Sequence, residues 1–175
     1  LISHAYDHPL IAAGAGTVMT DILSQVPDLN TVVVAVGGGG LFSGVAAVAH
    51  HHGVQTVAVE PENCRALNAA LGTGSPVDVP VDSVAADSLG ARRVSAMALA
   101  TAQNALVRSV TVSDQAIVQA RQSLWDEYRL VVEHAASTAL AGARGAGDHL
   151  PAPGEKVCVI LCGANTDPAD LVPGR

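Results

Sequence analysis

Residues 31–44 read TVVVAVGGGGLFSG, a run of β-branched residues followed by four glycines and the apolar start of a helix. This pattern predicts a buried strand, a tight turn and a helix. Because Gly37, Gly38, Gly39 and Gly40 have no Cβ, their consecutive backbone N–H groups can turn toward one point. The partial positive charge of the helix start favours an anion there, so the stretch indicates a phosphate-binding turn. A flexible turn without a ligand is the alternative interpretation.

The composition indicates a globular domain and argues against nucleic-acid binding. Of the 175 residues 49% are apolar and 14% are charged, which is enough for one domain with a sizeable core. The net charge of −7 and the aromatic content of 2% leave neither a basic patch nor a stacking surface for nucleic acid. Residues 32–49 are uncharged and long enough to cross a bilayer, but the central glycines would break that helix, so no membrane segment is predicted.

Cysteine usage and the first residue indicate where the chain belongs. Cys158 and Cys162 fall on one predicted strand, so they cannot form a disulfide without breaking it, and an odd total of three cysteines favours the reducing cytoplasm. About 13 Å along an extended strand also separates them too far for a shared zinc ion. Because Leu1 is not an initiator methionine, we expect residues 1–175 to be a single partial domain of a longer polypeptide.

Apolar periodicity alternates between strands and helices along the chain. Strands are predicted at 31–36, 56–60, 107–112 and 157–161, and helices at 16–25, 41–51, 62–71, 92–104, 114–127 and 133–144. This order predicts a three-layer α/β fold in which helices cover both faces of a mostly parallel sheet. Ligands bind such sheets where the strands end, so we expect one crevice to collect residues 37–40, Glu60, Ser113 and residues 162–165.

Two other sites compete with the phosphate turn. Glu60 ends the second strand, where an acid binds the ribose in a domain that holds a nicotinamide dinucleotide (NAD). The glycines, however, do not fit G-x-G-x-x-G, and the P-loop lysine is missing. Glu60 is equally well interpreted as an acid that begins a helix before Pro61. The run His50, His51 and His52 indicates a solvated helix end, since successive helix residues point in different directions and cannot share one metal ion.

Five segments in a fixed order carry a family resemblance. They are VGGGGL at 36–41, VEP at 59–61, VSD at 112–114, VVE at 131–133 and LCGAN at 161–165. Together they resemble the serine/threonine dehydratases, which are fold-type II enzymes that use pyridoxal phosphate. The resemblance implies that this chain is the large-domain part of such an enzyme.

The resemblance also implies roles for residues of the crevice. Gly37, Gly38, Gly39, Gly40 and the Leu41 amide would hold the cofactor phosphate. Cys162 would face the pyridine nitrogen, with Glu133, Asn165 and Asp87 near the cofactor, although salt-bridge or capping roles are equally open for Glu133 and Asp87. A thiol does not hold the ring nitrogen protonated as an aspartate does, which favours prompt loss of a β-substituent.

The activity implied is that of an ammonia-lyase, which converts a small hydroxy-amino acid into a 2-oxo acid and ammonia, in a cytoplasmic homodimer. That chemistry needs a Schiff-base lysine, and Lys156 is the only lysine of the chain. Lys156 starts the strand whose other end carries Cys162, which separates it from the cofactor by about 20 Å. We therefore expect the catalytic lysine to lie upstream of Leu1, and the chain alone to be inactive.

Other functions stay open on the residues alone. Within the same fold, amino-acid racemases, cysteine-synthesis enzymes and threonine synthase are alternatives, and a phosphate-binding scaffold without catalysis is another. Two departures from the family pattern, His134 in place of proline and Ser88 in place of glycine, leave the substrate open. Some relatives bind a divalent cation through the acid that matches Glu60 and a second acid six residues on. Ala66 occupies that second position here, so no metal is expected.

Overall fold

The computed structural model of the protein describes residues 6–172. Within this range the chain forms four strands, seven α-helices and one short 3-10 helix. The strands are β1 (Thr31–Ala35), β2 (Gln55–Pro61), β3 (Val107–Val112) and β4 (Val157–Val159). The helices are α1 (Pro9–Gln25), α2 (Gly40–His51), α3 (Ala66–Thr73), α4 (Ala86–Leu89), α5 (Ala96–Ala102), α6 (Asp114–Tyr128) and α7 (His134–Ala143). The 3-10 helix spans Pro168–Leu171.

The four strands form one sheet in the order β3-β2-β1-β4, and every neighbouring pair is parallel. In the register of the sheet, Val33 of β1 lies between Val57 of β2 and Val159 of β4. Parallel strands need long crossover connections, and helices supply them here. All strands therefore end at the same edge, where the turns that follow them can build a ligand site.

Helices cover both faces of this sheet. Alternate strand residues such as Val33, Val57 and Val110 pack on one face against α6 and α7. The residues between them, such as Val34 and Ala58, pack on the other face against α2, α3 and α5. Met19 of α1 packs against α2 in a separate cluster that also contains Val32 of β1. The predicted three-layer α/β fold with a parallel sheet is confirmed.

The element boundaries differ from the prediction by two or more residues in four elements. α1 begins at Pro9 rather than at residue 16, because the His8 side chain accepts a hydrogen bond from the Leu10 N–H and proline suits the first helical turn. α5 begins after the cap residue Ser95 rather than at residue 92. β4 ends at Val159 rather than at residue 161, so Cys162 follows the strand instead of ending it. The fourth difference, at α3, belongs to the site below.

No helix within residues 6–172 is long and apolar enough to cross a bilayer. The stretch at 32–49 is split between β1 and α2, as the glycines predict.

Candidate functional site

A cleft of about 410 Å³ opens at the edge where the strands end. One wall is the turn between β1 and α2, residues 37–40, which we call the glycine loop. The opposite wall carries Glu133, Cys162 and Gly163, while Ser88 of α4 and Tyr6 line the sides. The cleft thus joins segments that lie far apart in the sequence.

The backbone of the glycine loop presents a row of unpaired donors. Val36 still donates its N–H to the Val59 carbonyl, and Ser43 donates its N–H to the Gly39 carbonyl. Among the described residues, none accepts a hydrogen bond from the six N–H groups between them, from Gly37 to Phe42. The last three belong to the first turn of α2, whose N–H groups have no partner within the helix and lie at the positive end of its dipole.

Close packing explains why this loop is made of glycines. Gly39 has a φ of 98°, and a Cβ there would lie 2.3 Å from the Ala98 Cβ. A Cβ on Gly38 would lie 2.3 Å from the Tyr6 ring, which packs on the loop. The Ser43 hydroxyl donates a 2.6 Å hydrogen bond to the Gly39 carbonyl and holds the loop from below. The loop therefore packs closely against Tyr6 and Ala98 and has no room for side chains at Gly38 and Gly39.

The opposite wall is held by a pair of hydrogen bonds between two segments. Glu133 donates its backbone N–H to the Gly163 carbonyl at 3.1 Å. The Asn165 N–H in turn donates to Glu133 Oε1 at 2.9 Å. Gly163 has a φ of 83°, and a Cβ there would lie 2.5 Å from Glu133 Oε2. Glycine at 163 therefore lets the two segments meet.

Cys162 presents a neutral thiol to the cleft. Burial raises the pKa of the Cys162 thiol, and the negative charge of Glu133 raises it further. The thiol is half-buried and forms no disulfide. At neutral pH it can donate a weak hydrogen bond but carries no charge.

Several residues expected in the crevice lie outside the cleft. Asn165 follows the wall, and its N–H binds Glu133 instead of pointing at a ligand. Ser113 caps α6 through the Ala116 N–H. Asp87 accepts a hydrogen bond from the Ser88 hydroxyl, and only Ser88 of the two lines the cleft.

Glu60 is buried and binds the start of the next helix, as its interpretation as a helix-initiating acid suggests. Its side chain is fully buried, and its two oxygens accept the N–H groups of Leu67 and Asn68, each at 2.8 Å. The acid thus caps α3, which begins at Ala66 rather than at the predicted residue 62. Burial raises the pKa of Glu60 to about 7, against the opposing effect of these two bonds. Residues 6–172 hold no group of three or more metal-ligating side chains.

Lys156 lies at the far end of the sheet. It pairs with Asp28, and its carbonyl accepts the N–H of Thr31 at the start of β1. The cleft lies at the other end of the same strands. No lysine of this chain reaches the cleft.

Tyr6 is a cleft residue that sequence reasoning missed. Its ring covers the glycine loop, and its hydroxyl donates to the Arg93 carbonyl at 3.4 Å. In a chain with 2% aromatic residues, a tyrosine just ahead of the proline that starts a helix is the signal that could have found it.

Comparison with known proteins gives consistent relatives. The family described as "Pyridoxal-phosphate dependent enzyme" matches residues 1–163. The biosynthetic L-threonine dehydratase of Salmonella typhimurium is 35% identical over 164 residues, which cover 93% of this chain and 32% of that protein. A serine dehydratase-like protein of Mus musculus is 38% identical over 172 residues, which cover 91% of this chain and 52% of that protein.

A solved structure of maize serine racemase superimposes with a TM-score of 0.84 at 28% identity, covering 96% of this chain and 53% of that one. The chain therefore spans about half or less of the length of these relatives. The match over residues 1–163, the parallel sheet and the glycine loop agree with one another. This chain belongs to the family of pyridoxal-phosphate dependent enzymes.

Proposed function

We propose that this chain forms the cofactor-phosphate site and the pyridine-side wall of a dehydratase that converts a β-hydroxy-amino acid into a 2-oxo acid and ammonia. The observation that carries the proposal is the row of six N–H groups from Gly37 to Phe42, none of which has an acceptor within residues 6–172. Unpaired backbone donors beside a cleft are costly unless water or a ligand binds them, and an anion satisfies several at once. The amides of Gly37, Gly38, Gly39, Gly40 and Leu41 would hold the phosphate.

The rest of the cleft suits the aromatic part of the cofactor. When bound, pyridoxal phosphate supplies an electron-withdrawing ring that weakens the bonds at Cα of an amino acid. The Cys162 thiol would face the ring nitrogen and, being neutral, would leave it unprotonated. The charge of Glu133 raises the pKa of this thiol, and the hydrogen bonds of Glu133 to Gly163 and Asn165 hold the segment that carries it. By leaving the ring nitrogen unprotonated, Cys162 would favour early departure of the β-hydroxyl, as elimination requires.

The proton-transfer group of this reaction has to come from outside residues 1–175. Lys156 is the one lysine, and it is engaged with Asp28 away from the cleft. We therefore infer that the chain by itself binds the cofactor reversibly and does not turn over substrate. The holoenzyme, which combines this chain with the polypeptide that supplies the lysine, would act as a homo-oligomer, and sedimentation of that holoenzyme tests this.

Amino-acid racemisation is a second candidate. The similarity to maize serine racemase favours it, and so does the Ser88 hydroxyl, a cleft group able to exchange a proton and bonded to Asp87. Product analysis of the holoenzyme with L-serine or L-threonine separates the two reactions. A 2-oxo acid supports elimination, whereas the D-amino acid as main product replaces it with racemisation.

The phosphate site is tested on the chain by fluorescence titration with pyridoxal phosphate and with pyridoxal. We expect the phosphate-bearing compound to bind at least tenfold more tightly, since several backbone donors bind the anion. Gly39→Ala should abolish this preference, because the added Cβ would meet Ala98. Gly72→Ala is the matched control, since a Cβ there meets nothing within 4 Å. Equal affinity for the two compounds, or an unchanged preference in Gly39→Ala, would contradict the proposal.

A further inference from the structure

Arg121 of α6 is a buried arginine that the family assignment does not explain. Its exposed fraction is 2%, although an arginine side chain is normally in contact with water. Every described acceptor of its guanidinium lies outside α6. Such a side chain can hold together segments that are distant in the sequence, because its planar group donates several hydrogen bonds at once.

The guanidinium binds both segments that build the pyridine-side wall. Its Nε donates to the carbonyl of Val132, the residue before Glu133, at 2.8 Å. Its Nη1 donates to the Asp170 carboxylate at 2.6 Å, and its Nη2 donates to the Thr166 hydroxyl at 3.1 Å. The planar group therefore ties the stretch that ends in Glu133 to the stretch that follows Asn165.

Few described hydrogen bonds hold the wall between residues 160 and 166, although further along the segment Leu171 is buried and its carbonyl accepts a hydrogen bond from Gln122 at 3.2 Å. β4 ends at Val159, and Ile160 donates the last backbone bond to the sheet, to the Val33 carbonyl. Between Ile160 and Thr166 the described bonds of the wall are those that Gly163 and Asn165 make to Glu133. Val132 and Thr166, which Arg121 binds, directly flank the two segments that these bonds join, so the position of Arg121 bears on the position of the wall.

We propose that Arg121 is a positioning residue that holds Cys162 and Glu133 in register at the cleft. This role rests on the proposed function only for its relevance to the cofactor site, because the hydrogen bonds of Arg121 to the two segments need no cofactor. Arg121 acts through its hydrogen bonds to Val132 and to residues 166–170 and does not touch the cleft. It also lowers the pKa of Asp170 by hydrogen bonding, which keeps that partner charged.

The test measures how fast each cysteine of the chain reacts with iodoacetamide, with peptide mass spectrometry to separate Cys162 from Cys64 and Cys158. In Arg121→Met we expect the rate at Cys162 to rise about tenfold, since the loss of charge-assisted bonds shifts the local opening equilibrium. Cys64, which is buried between α3 and α4, should keep its rate. Arg144→Met is the matched control, because exposed Arg144 binds Ser123 of α6, the helix that also carries Arg121.

Two further variants make the result decisive if Arg121→Met unfolds, which would accelerate all three cysteines. Asp170→Ala and Thr166→Val remove acceptors on the exposed side, and each should raise the rate at Cys162 alone. Arg121→Lys keeps the charge but can satisfy fewer acceptors, so it should restore the rate in part. A wild-type rate at Cys162 in Arg121→Met, or in both acceptor variants, overturns the proposal.

Added pyridoxal phosphate separates this proposal from the proposed function. If the cofactor protects Cys162 of the wild-type chain, and protects it less in Arg121→Met, both ideas are supported. If the cofactor protects nothing while Arg121→Met still exposes Cys162, the cofactor site fails and the positioning role stands. If the cofactor protects Cys162 equally in both proteins and the uncomplexed rates are equal, the positioning role fails alone.

Discussion

Two helices begin at the same edge of the sheet, and their first turns are treated in opposite ways. α3 follows β2, and its N–H groups at Leu67 and Asn68 are taken by the buried carboxylate of Glu60. α2 follows β1, and its first N–H groups have no acceptor among residues 6–172. The fold therefore satisfies a helix start with its own side chain where no ligand is needed. Where α2 begins, the corresponding donors have no such acceptor, which is the arrangement that the proposed phosphate site requires.

Removing the internal acceptor of α3, the Glu60 carboxylate, should lower the stability of the protein more than any other change considered below. Glu60→Ala leaves two buried N–H groups without a partner, so we expect the free energy of unfolding to fall by about 3 kcal/mol. Urea denaturation measures the change. Glu62→Ala, on an exposed neighbour, should stay within about 0.5 kcal/mol of the wild type. A loss of similar size in both variants would mean that Glu60 does not cap α3.

The titration of Glu60 should make the free energy of unfolding depend on pH. Burial raises its pKa in the folded protein to about 7, above the ordinary value of 4.5, so the folded state binds more protons than the unfolded state between these values. The free energy of unfolding should therefore fall as pH rises from about 4.5 through 7, by up to about 3 kcal/mol. The amide of Glu60→Gln is neutral at every pH and resembles the protonated acid, so the stability of this variant should not change over this range and the wild-type curve should fall away from it as pH rises. Parallel curves would place the pKa near its ordinary value.

Supplying an external acceptor for the N–H groups at the start of α2 should raise the stability of the protein. Pyridoxal phosphate at tenfold its dissociation constant should stabilise the wild-type chain by about 1.4 kcal/mol, since it binds only the folded state. Thermal unfolding with and without the cofactor measures this shift. Gly72→Ala should retain the shift and Gly39→Ala should lose it. The same shift in both would locate the binding away from the start of α2.

The smallest expected effect concerns the support of the glycine loop. Ser43 donates its hydroxyl to the Gly39 carbonyl in a buried 2.6 Å bond, so Ser43→Ala should cost about 1 kcal/mol of unfolding free energy. Ser24→Ala removes a similar but exposed bond to Asp21 and should cost less than about 0.5 kcal/mol. Calorimetry on both variants compares them. Equal losses would show that the loop does not depend on this hydroxyl.

The open helix start could be predicted in full from the sequence, whereas for the closed one the sequence offered Glu60 as a helix-initiating acid but not its partners or the residue where α3 begins, for a physical reason. Residues 31–44 contain the strand, the turn and the helix start in one stretch, so local periodicity and four glycines are enough. Glu60 reaches its partners seven and eight residues later, across a turn whose shape no propensity describes. Arg121 is harder still, because its partner Asp170 lies 49 residues away and is specified only by the packed fold. Tyr6 falls in the same class, since it meets the glycine loop from across a helix.

The shortness of β4 has a consequence for the order of events during folding. The glycine loop forms from neighbours in sequence, whereas the three residues of β4 must pair with β1 across more than a hundred residues of chain. Contacts between distant residues form late, because the entropy of closing a long loop has to be overcome before they contribute. We expect pulsed hydrogen exchange during refolding to protect the amides of α2 before those of Val157–Val159. In that order the glycine loop forms first, and the cleft gains its second wall only when folding is nearly complete.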